Sequence, residues 1–170
     1  MICPHCGQDN LPGLDQCSRC LGDLTALDRP MPQDRVERSL MLDDVSILKP
    51  RAPVTVPRTA SVATALHTLL DQEIGAVLVV DEGGRLIGIF SERDLVTKVA
   101  GLEQALERLP VERFMTPQPE SVTMQDKLAF ALHKMDVGGY RHLPIVDGEK
   151  PVGILSVRDL IRHMTRLCKG

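Results

Sequence analysis

The chain has 170 residues, a formal net charge of −3, 43% apolar residues, 2% aromatics and no Trp. Such a chain can bury an aliphatic core of Val, Leu, Ile and Ala in one ordinary domain plus a small appendage. It lacks the basic footprint of a DNA or RNA binder, and Phe90, Phe114, Phe130 and Tyr140 are too few for a single-strand stacking platform. The longest uninterrupted apolar run, Ala76 to Val80, is far too short to cross a bilayer. Met1-Ile2-Cys3-Pro4 opens with neither a basic segment nor an apolar stretch. The expectation is therefore a cytoplasmic protein with no signal peptide and no membrane span.

Residues 1–24 hold four of the five cysteines, in two hooks, Cys3-Pro4-His5-Cys6-Gly7 and Cys17-Ser18-Arg19-Cys20-Leu21-Gly22. Two residues between thiolates let both sulfurs reach one ion from a tight turn, and Gly7 and Gly22 are expected to supply the unusual backbone angles. Cys3, Cys6, Cys17 and Cys20 together make a closed four-thiolate shell that suits structural Zn²⁺ and leaves no open position for catalysis. Iron in a rubredoxin-like site and redox dithiols are the rival readings. The hooks resemble the zinc-ribbon family. Ten residues separate them, fewer than in many ribbons, and Leu21 stands where Cys-x-x-Cys-Gly is commoner, so the resemblance implies a truncated ribbon. His5 reads as a solvent-facing residue of the turn, and Cys168 as an ordinary free thiol.

Residues 25–44 read as a linker, extended through Pro30 and Pro32 to about Gln33, followed by a short helix. Asp34 is placed to cap that helix, with Val36, Leu40 and Met41 on its apolar side. Residues 45–167 contain an internal duplication. Val56, Val62, Ala65, Leu66, His67, Leu69, Val80 and Asp81 align at one offset with Val122, Leu128, Ala131, Leu132, His133, Met135, Val146 and Asp147. After a single-residue deletion, Gly88-Ile89-Phe90-Ser91-Glu92-Arg93-Asp94 aligns with Gly153-Ile154-Leu155-Ser156-Val157-Arg158-Asp159.

Each copy reads as β-α-β-β-α. An extended segment (Val54–Val56; Ser121–Val122) leads to a helix (Val62–Gln72; Leu128–Asp136) and a buried strand (Ala76–Val80; Leu143–Val146). A Gly-bearing turn joins it to a second strand (Leu86–Phe90; Val152–Leu155), which feeds a final helix (Glu92–Ala100; Val157–Leu167). One copy is too small to bury both faces of its sheet, but two packed about a pseudo-two-fold axis are not. The fold class is α/β (α+β).

Ser-x-x-Asp at a helix start is a capping-box pattern, which for one copy would be explanation enough. Here it occurs twice, each time with Arg before Asp. Free backbone N–H groups, a hydroxyl and a forked cation suit a phosphate, and a carboxylate can accept both hydroxyls of a ribose. No general base, nucleophile or metal is placed to act on such a ligand, and His67, His133 and His163 read as structural, so no enzyme is expected.

Residues 45–167 resemble a tandem pair of CBS domains, a Bateman module. The resemblance rests on the two Gly-hydrophobic-x-Ser-x-x-Asp junctions, on Tyr140-Arg141-His142-Leu143-Pro144-Ile145-Val146-Asp147 and on Phe114-Met115-Thr116-Pro117. It implies binding of AMP, ADP, ATP or S-adenosylmethionine between the repeats, and a homodimer formed through the repeat helices, where Leu66, Leu69, Leu70, Leu132 and Met135 supply apolar content. One site would use Ser91, Arg93 and Asp94 with Thr116, Tyr140, Arg141 and His142. The other would use Ser156, Arg158 and Asp159 with Val54, Gly75 and Ala76. The first is expected to favour phosphorylated ligands, because Gly75 and Ala76 offer no cation where Arg141 and His142 stand. The organisation is thus a zinc ribbon (1–24), a linker and helix (25–44) and two CBS repeats (45–102 and 103–170), read as a regulatory nucleotide sensor. The alternatives are an adaptor whose ribbon binds a partner protein, and nucleic-acid binding through the ribbon, against which Arg19 is the only basic residue before Arg29.

Overall fold

Apolar residues at helical spacing alternate with continuous apolar runs along residues 45–167, and the computed structural model turns most of them into the element their period implies. The structure describes residues 1–11, 13–25, 34–102 and 105–169. The linker reading, beyond Thr25, lies outside the described residues. The chain forms two compact units, Met1–Asp34 and Arg35–Gly170.

The first unit is built from two knuckles. Ile2 pairs antiparallel with Asp9, and Gln16 with Asp23. Its core is Cys3, Cys17 and Leu24, all buried, with Met1 and Cys6 packed against them.

The second unit opens with α1 (Arg35–Leu42) and a 3₁₀ turn, Val45–Leu48. The first repeat follows as β1 (Thr55–Pro57), α2 (Val62–Asp71), β2 (Ala76–Val80), β3 (Leu86–Ser91) and α3 (Glu92–Asp94). The second is β4 (Thr116–Pro117), α4 (Leu128–Gly138), β5 (His142–Asp147), β6 (Lys150–Ser156) and α5 (Val157–Lys169). Ser61 caps α2, its Oγ accepting from the Thr64 N–H at 3.1 Å. Gly139 ends α4 in the left-handed region (φ +63°), as a helix C-terminus requires.

β1 to β4 form one sheet in that order, with β1 parallel to β2 and the rest antiparallel. β5 and β6 form the second, extended by single bridges from Val122, parallel to Ile145, and from Arg51, antiparallel to Ile154. Each sheet is thus closed by the other repeat's lead-in: Thr116 pairs with Ile89, and Arg51 with Ile154. Gly88 makes the first exchange possible, since a Cβ there would lie 2.2 Å from the Met115 sulfur. Each repeat has its own core, around Val62, Val77, Val79 and Phe90 in one and Leu128, Leu143, Ile145 and Leu155 in the other. Leu78 and Ile89 leave the opposite face of the first sheet to meet Ile154.

Three elements differ from the sequence reading. The final helix of the first repeat, expected over Glu92–Ala100, is one α-turn followed by a π-helical run, Leu95–Val99, that ends where the Ala100 N–H reaches the Leu95 carbonyl. Within this run Lys98 pairs with the Asp94 carboxylate and Val99 enters the core. The lead-in expected over Ser121–Val122 reduces to the single Val122 bridge. α1 does not stand apart as a linker helix: it packs on α4 and α5, and Leu40 joins the second core. No helix among the described residues is long and apolar enough to cross a membrane.

Candidate functional site

The four sulfurs of Cys3, Cys6, Cys17 and Cys20 lie within 4.8 Å of one another. Cys3 to Cys20 and Cys6 to Cys17 are each 3.6 Å. A tetrahedral shell with metal–sulfur bonds of about 2.3 Å needs sulfurs about 3.8 Å apart, so the donors fit such an ion as they stand. Each hook closes through the N–H of the residue after its second Cys, Gly7 to the Cys3 carbonyl and Leu21 to the Cys17 carbonyl. The residue at positive φ is Gly7 (73°) in the first hook but Leu21 (57°) in the second, not Gly22. The inserted residue itself takes the strained position, at about 1–2 kcal/mol for a side chain in that region. Gly22 is needed for close approach instead, because a Cβ there would lie 2.8 Å from the His5 ring. His5 is exposed beyond that contact.

Buried Asn10 ties the knuckles together. Its amide donates to the Cys17 sulfur at 3.6 Å, and its Oδ1 accepts from the N–H and hydroxyl of Ser18. The Cys17 thiol is lowered to about 6, chiefly by the backbone N–H of Cys20. Gly22's N–H favours the Cys20 thiolate, but the neighbouring sulfurs and burial outweigh it and push Cys20 up to about 12. Four thiols this close cannot all lose protons without a cation among them.

The second unit has two clefts where the repeats meet. The first, about 410 Å³, is lined by Ser91, Arg93, Asp94, Thr116, Tyr140, Arg141 and His142. The second, about 580 Å³, is lined by Ser156, Arg158, Asp159, Val54, Gly75 and Ala76. Each set named from the sequence therefore surrounds one cavity. The capping geometry is repeated: Ser91 donates through N–H and hydroxyl to Asp94 Oδ2 at 2.9 and 2.7 Å, and Ser156 to Asp159 Oδ2 at 3.0 and 2.6 Å.

The two carboxylates differ beyond that. Asp94 Oδ1 is held by Lys98 at 2.6 Å and by the Thr116 hydroxyl at 3.1 Å, and the side chain is 8% exposed. Burial alone would push its carboxyl up, but the hydrogen bonds from Lys98 and Ser91 win and hold it below the ordinary value. Asp159 Oδ1 has Arg162 at 3.3 Å, and its side chain is 32% exposed. By sequence the cation surplus belongs to the first cleft, through Arg141 and His142. The structure reverses it, because Arg141 and His142 line both clefts and the second adds Arg51 and Arg162. Arg162 was legible as an i+3 neighbour of Asp159; Arg51 was not, since only its long-range bridge to Ile154 brings it there.

His142 packs its ring on Gly75, where a Cβ would lie 2.8 Å from the imidazole. Desolvation lowers its pKa below 6.5, against Glu92 and Asp159, which favour the charged form, while Arg158 and Arg141 oppose it. The folded protein therefore holds His142 neutral where an unfolded chain would take a proton. This stabilisation is complete above about pH 6.5 and is lost as the pH falls from there through the folded value. Between pH 7.5 and 5 the melting temperature of His142→Gln should fall less steeply than that of the native chain; parallel slopes would refute this.

The CBS domain family model matches residues 42–101 and 111–166. An uncharacterized 17.7 kDa protein of Acidianus ambivalens is 33% identical over 125 residues, covering 73% of this chain and 74% of that one. The CBS domain-containing protein CBSCBSPB1 of Arabidopsis thaliana is 32% identical over 117 residues, which cover 66% of this chain but only 22% of the plant protein. Among solved structures, the CBS domain protein PAE2072 from Pyrobaculum aerophilum, complexed with AMP, superposes with a TM-score of 0.65 at 28% identity, covering 75% of this chain and 99% of that one.

Proposed function

The chain belongs to the CBS-domain family, and we propose that it is a regulatory sensor of adenosyl nucleotides with a structural zinc ribbon and no catalytic role, working in the cytoplasm. The carrying observation is Asp159. Its carboxylate keeps an oxygen with one long contact, facing a 580 Å³ cleft lined by Arg51, Arg141, Arg158 and Arg162. A ribose diol on Asp159 and a phosphate among the arginines satisfy both, and apolar Val54, Ile74 and Ala76 line the same cleft where an adenine can lie. The AMP complex of PAE2072 supports the ligand class. The ligand shifts the packing of the repeats only as far as it binds one arrangement better than another. Calorimetry of the whole chain with AMP, ADP, ATP and S-adenosylmethionine is expected to show binding by at least one of them. No heat at about 1 mM ligand, an affinity of about −4 kcal/mol, would remove the sensor reading and leave the adaptor in its place.

Cys3, Cys6, Cys17 and Cys20 are assigned to Zn²⁺, which supplies folding energy in a closed thiolate shell. The adaptor reading has one observation in its favour: the ribbon exposes Ile2, Leu11 and Leu21 at 69%, 76% and 71%. A protein partner suits that surface better than nucleic acid does.

Homodimerisation belongs to the same proposal, with Leu70 kept from the set the sequence suggests and the rest of the face drawn from other side chains. Leu69 and Met135 are consumed by their own cores, and Leu66 and Leu132 are half-buried, whereas Leu70, Phe130 and Val137 are exposed at 65%, 45% and 73%. Light scattering at micromolar concentration should give twice the chain mass; a monomer throughout would count against the dimer.

A further inference from the structure

The two repeats differ at the position four residues after the cleft aspartate: Lys98 follows Asp94, and His163 follows Asp159. Lys98 reaches back one turn to Asp94 Oδ1 at 2.6 Å and also donates to the carbonyls of Phe114 and Met115 at 3.0 and 3.2 Å. With the Ser91 N–H and hydroxyl on Oδ2 and the Thr116 hydroxyl on Oδ1, Asp94 has four donors for its roughly four lone-pair directions. His163 does the opposite. Its Nε2 lies 2.7 Å from the buried Ser39 hydroxyl of α1, which in turn contacts Asp43, so the side chain is held on α1 and not on Asp159.

We propose that Lys98 occupies the first cleft's diol position from within the chain, so that the protein binds one nucleotide, in the second cleft, rather than two. The inference rests on the nucleotide-sensor reading and adds to it the stoichiometry, the site and the residue that sets both. A ribose entering the first cleft must displace an ammonium and a hydroxyl from a carboxylate that is already satisfied. It gains two hydrogen bonds by breaking two, one of them charge-assisted, and immobilisation of the ligand is not offset. In the second cleft Asp159 has three donors by the same count, so one hydroxyl of the diol takes up a free direction and the other need displace only a single arginine at 3.3 Å. α1 is part of the asymmetry, since it supplies the partner that keeps His163 from playing the part of Lys98.

Calorimetry with AMP should give one site per chain for the native protein and two for Lys98→Met, which keeps the length of the side chain and removes its charge. Two sites in the native chain, or one in a folded Lys98→Met, would overturn the inference. Should Lys98→Met fail to fold, amide shifts of the native protein on AMP titration decide: Ser156 and Asp159 should move and Ser91 and Asp94 should stay, and the reverse or joint movement overturns it. Absence of binding in both proteins overturns the sensor reading, and this inference with it.

Discussion

Replacing Cys17 by Ser should empty the first unit of metal and unfold it while the second unit melts as before. Native protein should carry one zinc per chain, and the variant none. Among its described residues the small unit has no other source of stability of comparable size. The buried apolar residues described there are Cys3, Cys17 and Leu24, and a buried leucine contributes only about 1.5–3 kcal/mol. A structural zinc site contributes about 10–16 kcal/mol of apparent binding energy, which here is folding energy. Losing Cys17 removes more than one metal ligand, since its sulfur also receives the Asn10 amide and the Arg19 N–H. The second unit holds its own two cores and should keep its melting transition within a degree or two. Metal analysis and thermal melting of the two proteins check the result. Stoichiometric iron, or a native protein that keeps its ribbon amide dispersion after chelation, would contradict it.

Much of the second unit was legible because a duplication states each element twice. Ser91 and Ser156, with their aspartates three residues on, give local geometry that sequence spacing alone specifies, and the capping bonds follow. What spacing cannot specify is which groups reach a carboxylate from elsewhere. Lys98 stands four residues after Asp94, a spacing that permits the contact but does not decide it; what holds the ammonium there includes the carbonyls of Phe114 and Met115, which come from the second repeat's lead-in. The repeat alignment sets Gly75 and Ala76 at the positions of Arg141 and His142, which by itself places the cationic pair in one cleft. Near the pseudo-two-fold axis, however, the starts of β2 and β5 touch, with His142 lying on Gly75, so the pair serves both cavities. Leu21 shows the same limit in the ribbon. A glycine one residue later suggested where the positive φ should fall, but the hydrogen bond back to Cys17 fixes it on the inserted leucine.

Asp159→Ala should lower AMP affinity by at least a hundredfold. A carboxylate accepting the 2′- and 3′-hydroxyls makes two charge-assisted hydrogen bonds, each contributing about 1.5–3 kcal/mol where water is excluded. Even the lower figures together correspond to roughly a hundredfold in affinity. The variant also loses the acceptor for the Ser156 N–H and hydroxyl at the start of α5, a capping loss of about 1 kcal/mol. Lower stability alone could therefore imitate a weaker site, and the ligand itself separates the two effects. Against native protein, 2′,3′-dideoxyadenosine 5′-phosphate lacks the same two hydroxyls while the cap is intact, so it should lose about as much affinity as AMP loses to the variant. Against Asp159→Ala, AMP and the dideoxy nucleotide should bind alike, because the group that distinguishes them is gone. If AMP keeps its advantage over the dideoxy nucleotide in the variant, the diol sits on some other residue, and Asp159 only holds the end of its helix.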